Sequence, residues 1–326
     1  MAKHKQKSQI QVKQLDSLQQ LNLNAAGLDI GASEIYACVP ADRDEQSVRV
    51  FETFTMDLYA LADWLAACGI ETVAMESTGI YWIPVYEILE AKGFDVHLVN
   101  ARHLKNVPGK KTDVQDCQWI QQLHTYGLLR GSFRPPDDIC VLRALVRHRD
   151  NLIRFRSAHI QHMQKALQLM NVQLTQVISD ITGVTGMRII RSIVAGERDP
   201  QVLARLRNSK CAKSEAEIAK ALQGNYRFEH LFALKQALAQ YDFYQQQIQE
   251  CDVEIEALYA SLASQERDNQ DAPPPKPKRG KPRKNQAHFD LATALYHMVG
   301  VDLTAVDGLD ALTTQTIISE IGLDMS

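Results

Sequence analysis

What the chain lacks narrows its class first. Its six cysteines, Cys38, Cys68, Cys117, Cys140, Cys211 and Cys251, are scattered with no CxxC pair, which argues against zinc knuckles and against a disulfide framework. They are expected to be reduced thiols, several of them in the core. No run approaches about 18 apolar residues, so no membrane-spanning helix is expected. The start, Met1-Ala2-Lys3-His4-Lys5-Gln6-Lys7, leads into polar sequence and not into the apolar core of a secretory signal, which makes the expected location cytoplasmic. Acid is missing from one stretch altogether: Pro273 to Lys284 carries six basic residues and no Asp or Glu, in a chain whose net charge is −3. Without those six charges the rest of the chain stands at −9. Segregation of this kind fits basic segments that meet polyanions and acidic positions that serve metals or solvated helix faces.

With 326 residues, 45% of them hydrophobic, the chain can build more than one core. A polar arm is expected over 1–22. From Ala25 the pattern becomes Ala-Ala-Gly-Leu-Asp-Ile-Gly-Ala-Ser, then Glu-Ile-Tyr-Ala-Cys-Val-Pro, then Ser-Val-Arg-Val-Phe-Glu-Thr-Phe (47–54), three short strands parted by turn residues and read as an antiparallel meander. An amphipathic helix follows over Met56–Cys68, then a strand over Glu71–Ser77 whose final acid is Glu76, a helix closed by Gly93, and a strand over Asp95–Asn100. Helices and strands now alternate, so the later strands are expected to be parallel, with ligands beyond their carboxyl ends.

The next helix opens on Asp113 and Asp116, three residues apart and therefore on adjacent turns of one face, with Thr112 as the expected cap. Acids in a first turn also serve the helix dipole, so the pair alone says little. In order with Asp29 inside the first strand and Glu76 ending a later one, it completes four carboxylates at comparable places. Such a set of hard oxygen ligands suits two divalent cations acting on a phosphodiester, the arrangement of an RNase H-like nuclease.

Four segments, Gly-Leu-Asp-Ile-Gly-Ala-Ser (27–33), Ala-Met-Glu-Ser-Thr-Gly-Ile-Tyr-Trp (74–82), Val-Asn-Ala-Arg-His-Leu-Lys (99–105) and Lys-Thr-Asp-Val-Gln-Asp (111–116), resemble the DEDD transposases of the IS110 insertion sequences, a group that includes the Piv-type DNA invertases. The resemblance covers most of residues 25–160. It implies a RuvC-like, RNase H-like α/β domain over 23–135 whose catalytic and metal-binding acids are Asp29, Glu76, Asp113 and Asp116, with Mg²⁺ or Mn²⁺ as cofactor. It further implies donor and target DNA and a structured bridge RNA as partners, in a homo-oligomer. A serine nucleophile in a C-terminal domain is also implied, but neither Ser319 nor Ser326 stands in the expected motif, so the chain reads as C-terminally truncated. Two other readings stay open: a RuvC-like Holliday-junction endonuclease, and a nucleic-acid-binding remnant without activity.

Arg102, Lys105, Lys110 and Lys111 crowd the approach to the acids, where they either balance charge or grip flanking phosphates. From 136 to 265 the chain reads as helical. Arg143, Arg147 and Arg154 form a stripe suited to phosphate contact or to plain solvation. Residues 231–262 carry a heptad seam through Tyr241, Tyr244, Ile248, Cys251, Ile255, Leu258 and Leu262, either one arm of an intrachain hairpin or a dimeric coiled coil. A Pro-rich basic linker over 266–287 presents Lys276, Lys278, Arg279, Lys281, Arg283 and Lys284 for phosphate contact. Residues 288–326 are read as the opening of a helical, helix-hairpin-helix-like domain.

Overall fold

The computed structural model describes residues 19–77, 79–100, 113–265 and 285–323. The chain divides into two compact units, Met1–Arg134 and Pro135–Ser326. Among the described residues no helix is long and apolar enough to cross a membrane.

The first unit is an α/β domain on a mixed five-stranded sheet. Strands β1 (Ala25–Ile30), β2 (Glu34–Cys38) and β3 (Val48–Glu52) form the meander, with β1–β2 and β2–β3 antiparallel. Helix α1 (Thr55–Ala67) leads to β4 (Thr72–Glu76), and α2 (Trp82–Ala91) leads to β5 (Asp95–Val99). β4 lies parallel to β1 and β5 parallel to β4, giving the order β3-β2-β1-β4-β5. Helix α3 (Asp113–Thr125) follows.

Both faces of β1 and β4 are covered, which is why these strands are short apolar runs and not clean alternations. On one face Ala26, Leu28, Val73 and Met75 pack against Leu58, Leu61 and Leu65 of α1 and Val85 and Leu89 of α2. On the other, Ala74 and Val99 pack against Ile120 of α3.

The far end of α3 is tied down by polar contacts. Leu21 and Asn22 donate backbone N–H bonds to the Thr125 carbonyl, and the Asn22 side chain donates to the His124 carbonyl. The buried His124 ring shares a 2.8 Å hydrogen bond with the Thr72 hydroxyl and lies 4.8 Å from the His97 ring. Burial, and then the neighbouring His97, push the His124 pKa down to about 4, and Asp95 offsets part of this. A depressed folded-state pKa means the unfolded chain binds the proton first as pH falls. Stability from this group is therefore complete above about pH 6.5 and is lost as pH drops towards 4, by about 3 kcal/mol at the low end. Urea titrations at pH 7 and pH 4.5 should show the loss, and His124→Gln should remove most of it; equal slopes in both proteins would place the titration elsewhere.

Among the described residues the second unit is helical, built on two long antiparallel helices. α4 (Asp137–Leu169) runs 33 residues, with Asp137 and Asp138 in its first turn where the dipole favours them. The short helices α5 (Leu174–Val177), α6 (Val184–Ala195), α7 (Pro200–Ala204) and α8 (Glu215–Ala221) follow. Asp199 caps α7 ahead of Pro200, and Ser214 with Glu217 forms a capping box on α8. Helix α9 (Phe228–Gln265), 38 residues, returns along α4. The heptad seam is satisfied inside the chain: Ile248, Cys251, Ile255, Tyr259 and Leu262 share a core with Ile139, Leu142, Val146 and Leu152 of α4. Of the two readings of the seam, the intrachain hairpin is the one adopted.

Helices α10 (Leu291–Val299) and α11 (Ala311–Ile321) are capped by Asp290 and Asp310. Leu291, Leu295, Met298 and Ile318 close the same core, so these two helices complete the hairpin's packing instead of starting a core of their own.

Candidate nucleic-acid and metal site

The position of α3 on the sheet decides where the four acids go. A Cβ on Gly27 would sit 2.3 Å from the Gln121 backbone nitrogen and 2.4 Å from the Cys117 carbonyl oxygen, so only glycine lets the helix backbone lie directly on β1. Gln121 donates towards the Ala25 carbonyl, while Thr125 meets Leu21 and Asn22. The helix therefore runs antiparallel to β1, and its first turn, with Asp113 and Asp116, points to the carboxyl end of the strand.

Strand alternation places Asp29 on that same face, two residues beyond Gly27. Glu76 stands two residues beyond Ala74, which also faces α3. The parallel register pairs Leu28 with Met75, the residues that immediately precede Asp29 and Glu76. Glu76 pairs with Val99 on its other side.

Electrostatics reports the same neighbourhood. Tyr36, the cross-strand partner of Asp29, has its phenol pKa raised by a hydrogen bond to Glu34 and by that residue's charge, with Asp113 and Asp29 both adding to the rise. The adjoining Cys38 thiol, and then burial, push the Cys117 thiol up, and the charge of Asp29 adds to this. Asp29 and Asp113 thus act on one phenol, although 84 residues part them in the chain.

Asp29, Glu76 and Asp116 are half-buried and Asp113 is exposed. As the side chains stand, no group of three or more His, Cys, Asp or Glu among the described residues closes to the geometry of a bound ion. The fit to a divalent cation is one of donor chemistry: Asp29 and Glu76 are hard carboxylates on the sheet, and Asp113 and Asp116 are hard carboxylates in the first turn of α3.

The basic residues expected around this site divide. Arg102, Lys105, Lys110 and Lys111, with Thr112, lie outside the described residues, as do Lys276, Lys278, Arg279, Lys281, Arg283 and Lys284. Arg143 and Arg147 are engaged within the helical unit. Arg143 donates to the Ser319 and Glu320 carbonyls, and Arg147 makes a two-pronged pair with the Glu320 carboxylate at 2.7 Å for each bond. The unpaired carbonyls at the C-terminal end of α11 attract guanidinium groups, so this part of the stripe is a clamp on α11. Arg147, and its charge in turn, hold the Glu320 carboxyl below its usual range. Arg154 is exposed and bonds Asn151 one turn back. His159 stacks on Tyr244 and meets His162 edge-on, an aromatic contact and not a metal site. Ser319 is buried and donates to the Thr316 carbonyl, which leaves it no role as a nucleophile.

One charged centre escaped the reading of the sequence. Arg149 and Asp252 form a buried pair, and His288 joins it through Nδ1 at 2.6 Å from Asp252. The available signal was a charge on the apolar stripe of each long helix, Arg149 seven residues after Leu142 and Asp252 next to Cys251.

Gly27→Ala should cost at least about 1–3 kcal/mol of stability and should displace the first turn of α3 from Asp29. Thermal melting of both proteins measures the loss, and an unchanged Tm would show that α3 does not depend on its seat at Gly27.

Compared with known proteins, residues 26–172 match the model of a family described as transposase, the DEDD type of IS110. A search of curated proteins finds no match.

Proposed function

Residues 26–172 belong to the IS110 family of DEDD transposases, and from that premise we propose that the chain is a metal-dependent DNA recombinase whose cutting centre is Asp29, Glu76, Asp113 and Asp116. The observation that supports this reading is the close seat of α3 on Gly27, together with the charges of Asp29 and Asp113 both acting on the Tyr36 phenol. The strand order β3-β2-β1-β4-β5, antiparallel then parallel, supports a RuvC-like form of the RNase H fold. Guidance by a bridge RNA that pairs with donor and target DNA is part of the proposal through the family alone.

Four carboxylates on one strand end repel one another, so drawing them together requires a cation. A bound divalent ion would supply Lewis-acid stabilisation of the oxygens that enter and leave a phosphodiester. The chain's part is to hold the ligands. Asp29 and Glu76 are fixed by the strands that carry them, whereas Asp113 and Asp116 ride on a helix whose position depends on the Gly27 contact. Half-burial of three of the four limits competing water.

Calorimetric titration of Mn²⁺ into the full chain tests the reading. Saturable binding is expected, weakened at least about tenfold by Glu76→Gln, since the amide removes a hard anionic ligand. Equal heats from both proteins would remove the metal site. Cutting of branched DNA with metal alone, without guide RNA, would transfer the assignment to a junction endonuclease.

A further inference from the structure

The helical unit contains a cation whose charge nothing among the described residues answers. Arg149 and Arg156 lie seven residues apart on α4, so they project from one face, and they are only 2% and 7% exposed. Arg149 is matched: its Nε donates to Asp252 Oδ1 at 2.5 Å and its Nη2 to Oδ2 at 3.3 Å, and Asp252 is itself 1% exposed.

Arg156 is not matched. Its Nη1 donates to Gln245 Oε1 at 2.5 Å and its Nη2 to Asn285 Oδ1 at 2.6 Å, both neutral amides, and its buried Nε has no hydrogen-bond partner among the described residues. Burial lowers its pKa, Tyr241 offsets this in part, and the charge of Arg149 lowers it further; no carboxylate contributes. A desolvated guanidinium beside a second one is unfavourable unless an anion joins them.

Room for that anion exists. A cavity of 470 Å³ is bordered by both arginines, Tyr241, Gln245, Asn285 and His288. Burial raises the Tyr241 pKa, so the phenol is a neutral donor. Gln245 and Asn285 turn their carbonyl oxygens to Arg156, and each retains an NH₂ group to donate.

We propose that this cavity is an anion site that seats a phosphate group on the Arg156 guanidinium. The fork of N–H donors suits phosphate oxygens, and Arg149, already committed to Asp252, adds attraction without needing to move. The volume is in the range of pockets that enclose whole small ligands, about 300–1,000 Å³, which leaves room for the sugar carried by a phosphodiester as well as for free phosphate. The unit that contains the site includes the end of the transposase match, so a nucleic-acid strand is one source of the group and inorganic phosphate the other.

The experiment uses the full chain in chloride buffer, with inorganic phosphate and a short oligothymidylate as separate probes at constant ionic strength. Phosphate at ten times its Kd should raise Tm by about 3–5 °C. Arg156→Gln should abolish the rise and weaken binding at least about tenfold, while Arg156→Lys, a point charge without the fork, should fall between. A response to oligothymidylate alone would name the strand as the source, and a response to both would leave the phosphate group as the common determinant. No response to either probe, or equal binding by Arg156→Gln, overturns the site. Should Arg156→Gln not fold, phosphorus NMR with the wild-type chain decides: broadening of the phosphate line is expected, and an unbroadened line counts against the site.

Discussion

Asp113→Asn is expected to lower DNA cleavage more than about 100-fold while the melting temperature moves by only about 1–3 °C. The two magnitudes have different origins. As a charge in the first turn of α3, Asp113 is worth about 0.3–1 kcal/mol to the helix dipole, and the exposed side chain loses little packing on becoming an amide. In the proposed role of a metal ligand it would be worth more than an outer hydrogen-bond partner of such a ligand, whose loss already costs about 10–100-fold. Parallel melting curves and cleavage assays on one preparation separate these contributions. A cleavage rate within about tenfold of wild type would show Asp113 to be a helix-capping acid and nothing more.

The largest stability effect is expected in the other unit. Asp252→Asn should cost about 3–5 kcal/mol, because it leaves Arg149 charged, buried and without its carboxylate. At roughly 2–4 °C per kcal/mol for a unit of this size, the drop in Tm is about 10 °C. A double replacement, Arg149→Met with Asp252→Leu, should restore most of the loss, since desolvation of the two ions offsets much of what their attraction provides. Denaturant titration of the three proteins distinguishes the cases; a loss under about 1 kcal/mol in Asp252→Asn would mean that water reaches the pair.

The sheet was readable because its information is local. Alternating and apolar runs mark five strands, and an acid at the end of an apolar strand stands out against its neighbours, as Asp29 and Glu76 do. What makes the acids neighbours is less visible: the direct seat of α3 on β1 depends on Gly27, one of several glycines in a region already rich in turns. In the helical unit the seam from Tyr241 to Leu262 announced a partner without saying which, since any apolar stripe of matching period would serve. The same limit applied to Arg143 and Arg147. Their spacing suits a row of phosphates as well as it suits Glu320, and only folding brings in a carboxylate 173 residues further along. Arg149 and Asp252 are 103 residues apart, each an exception within an apolar stripe, and neither can be read without the other.

The hairpin of α4 and α9 also sets an order of events during synthesis. α4 ends at Leu169, and the helix that covers its apolar side is not complete until Gln265, about a hundred residues later. At about 5–20 residues per second, Leu142, Val146 and Leu152 wait for roughly 5–20 s beyond the ribosome exit before Ile248 and Ile255 can reach them. That interval is long against collapse times of up to about 100 μs, so the nascent chain has time to bury α4 against something else. Ribosome-bound chains halted near residue 230 should accordingly recruit chaperones and yield to protease within α4, and chains halted past residue 300 should resist; equal protection at both lengths would show that α4 finds adequate cover from α5 to α8 alone.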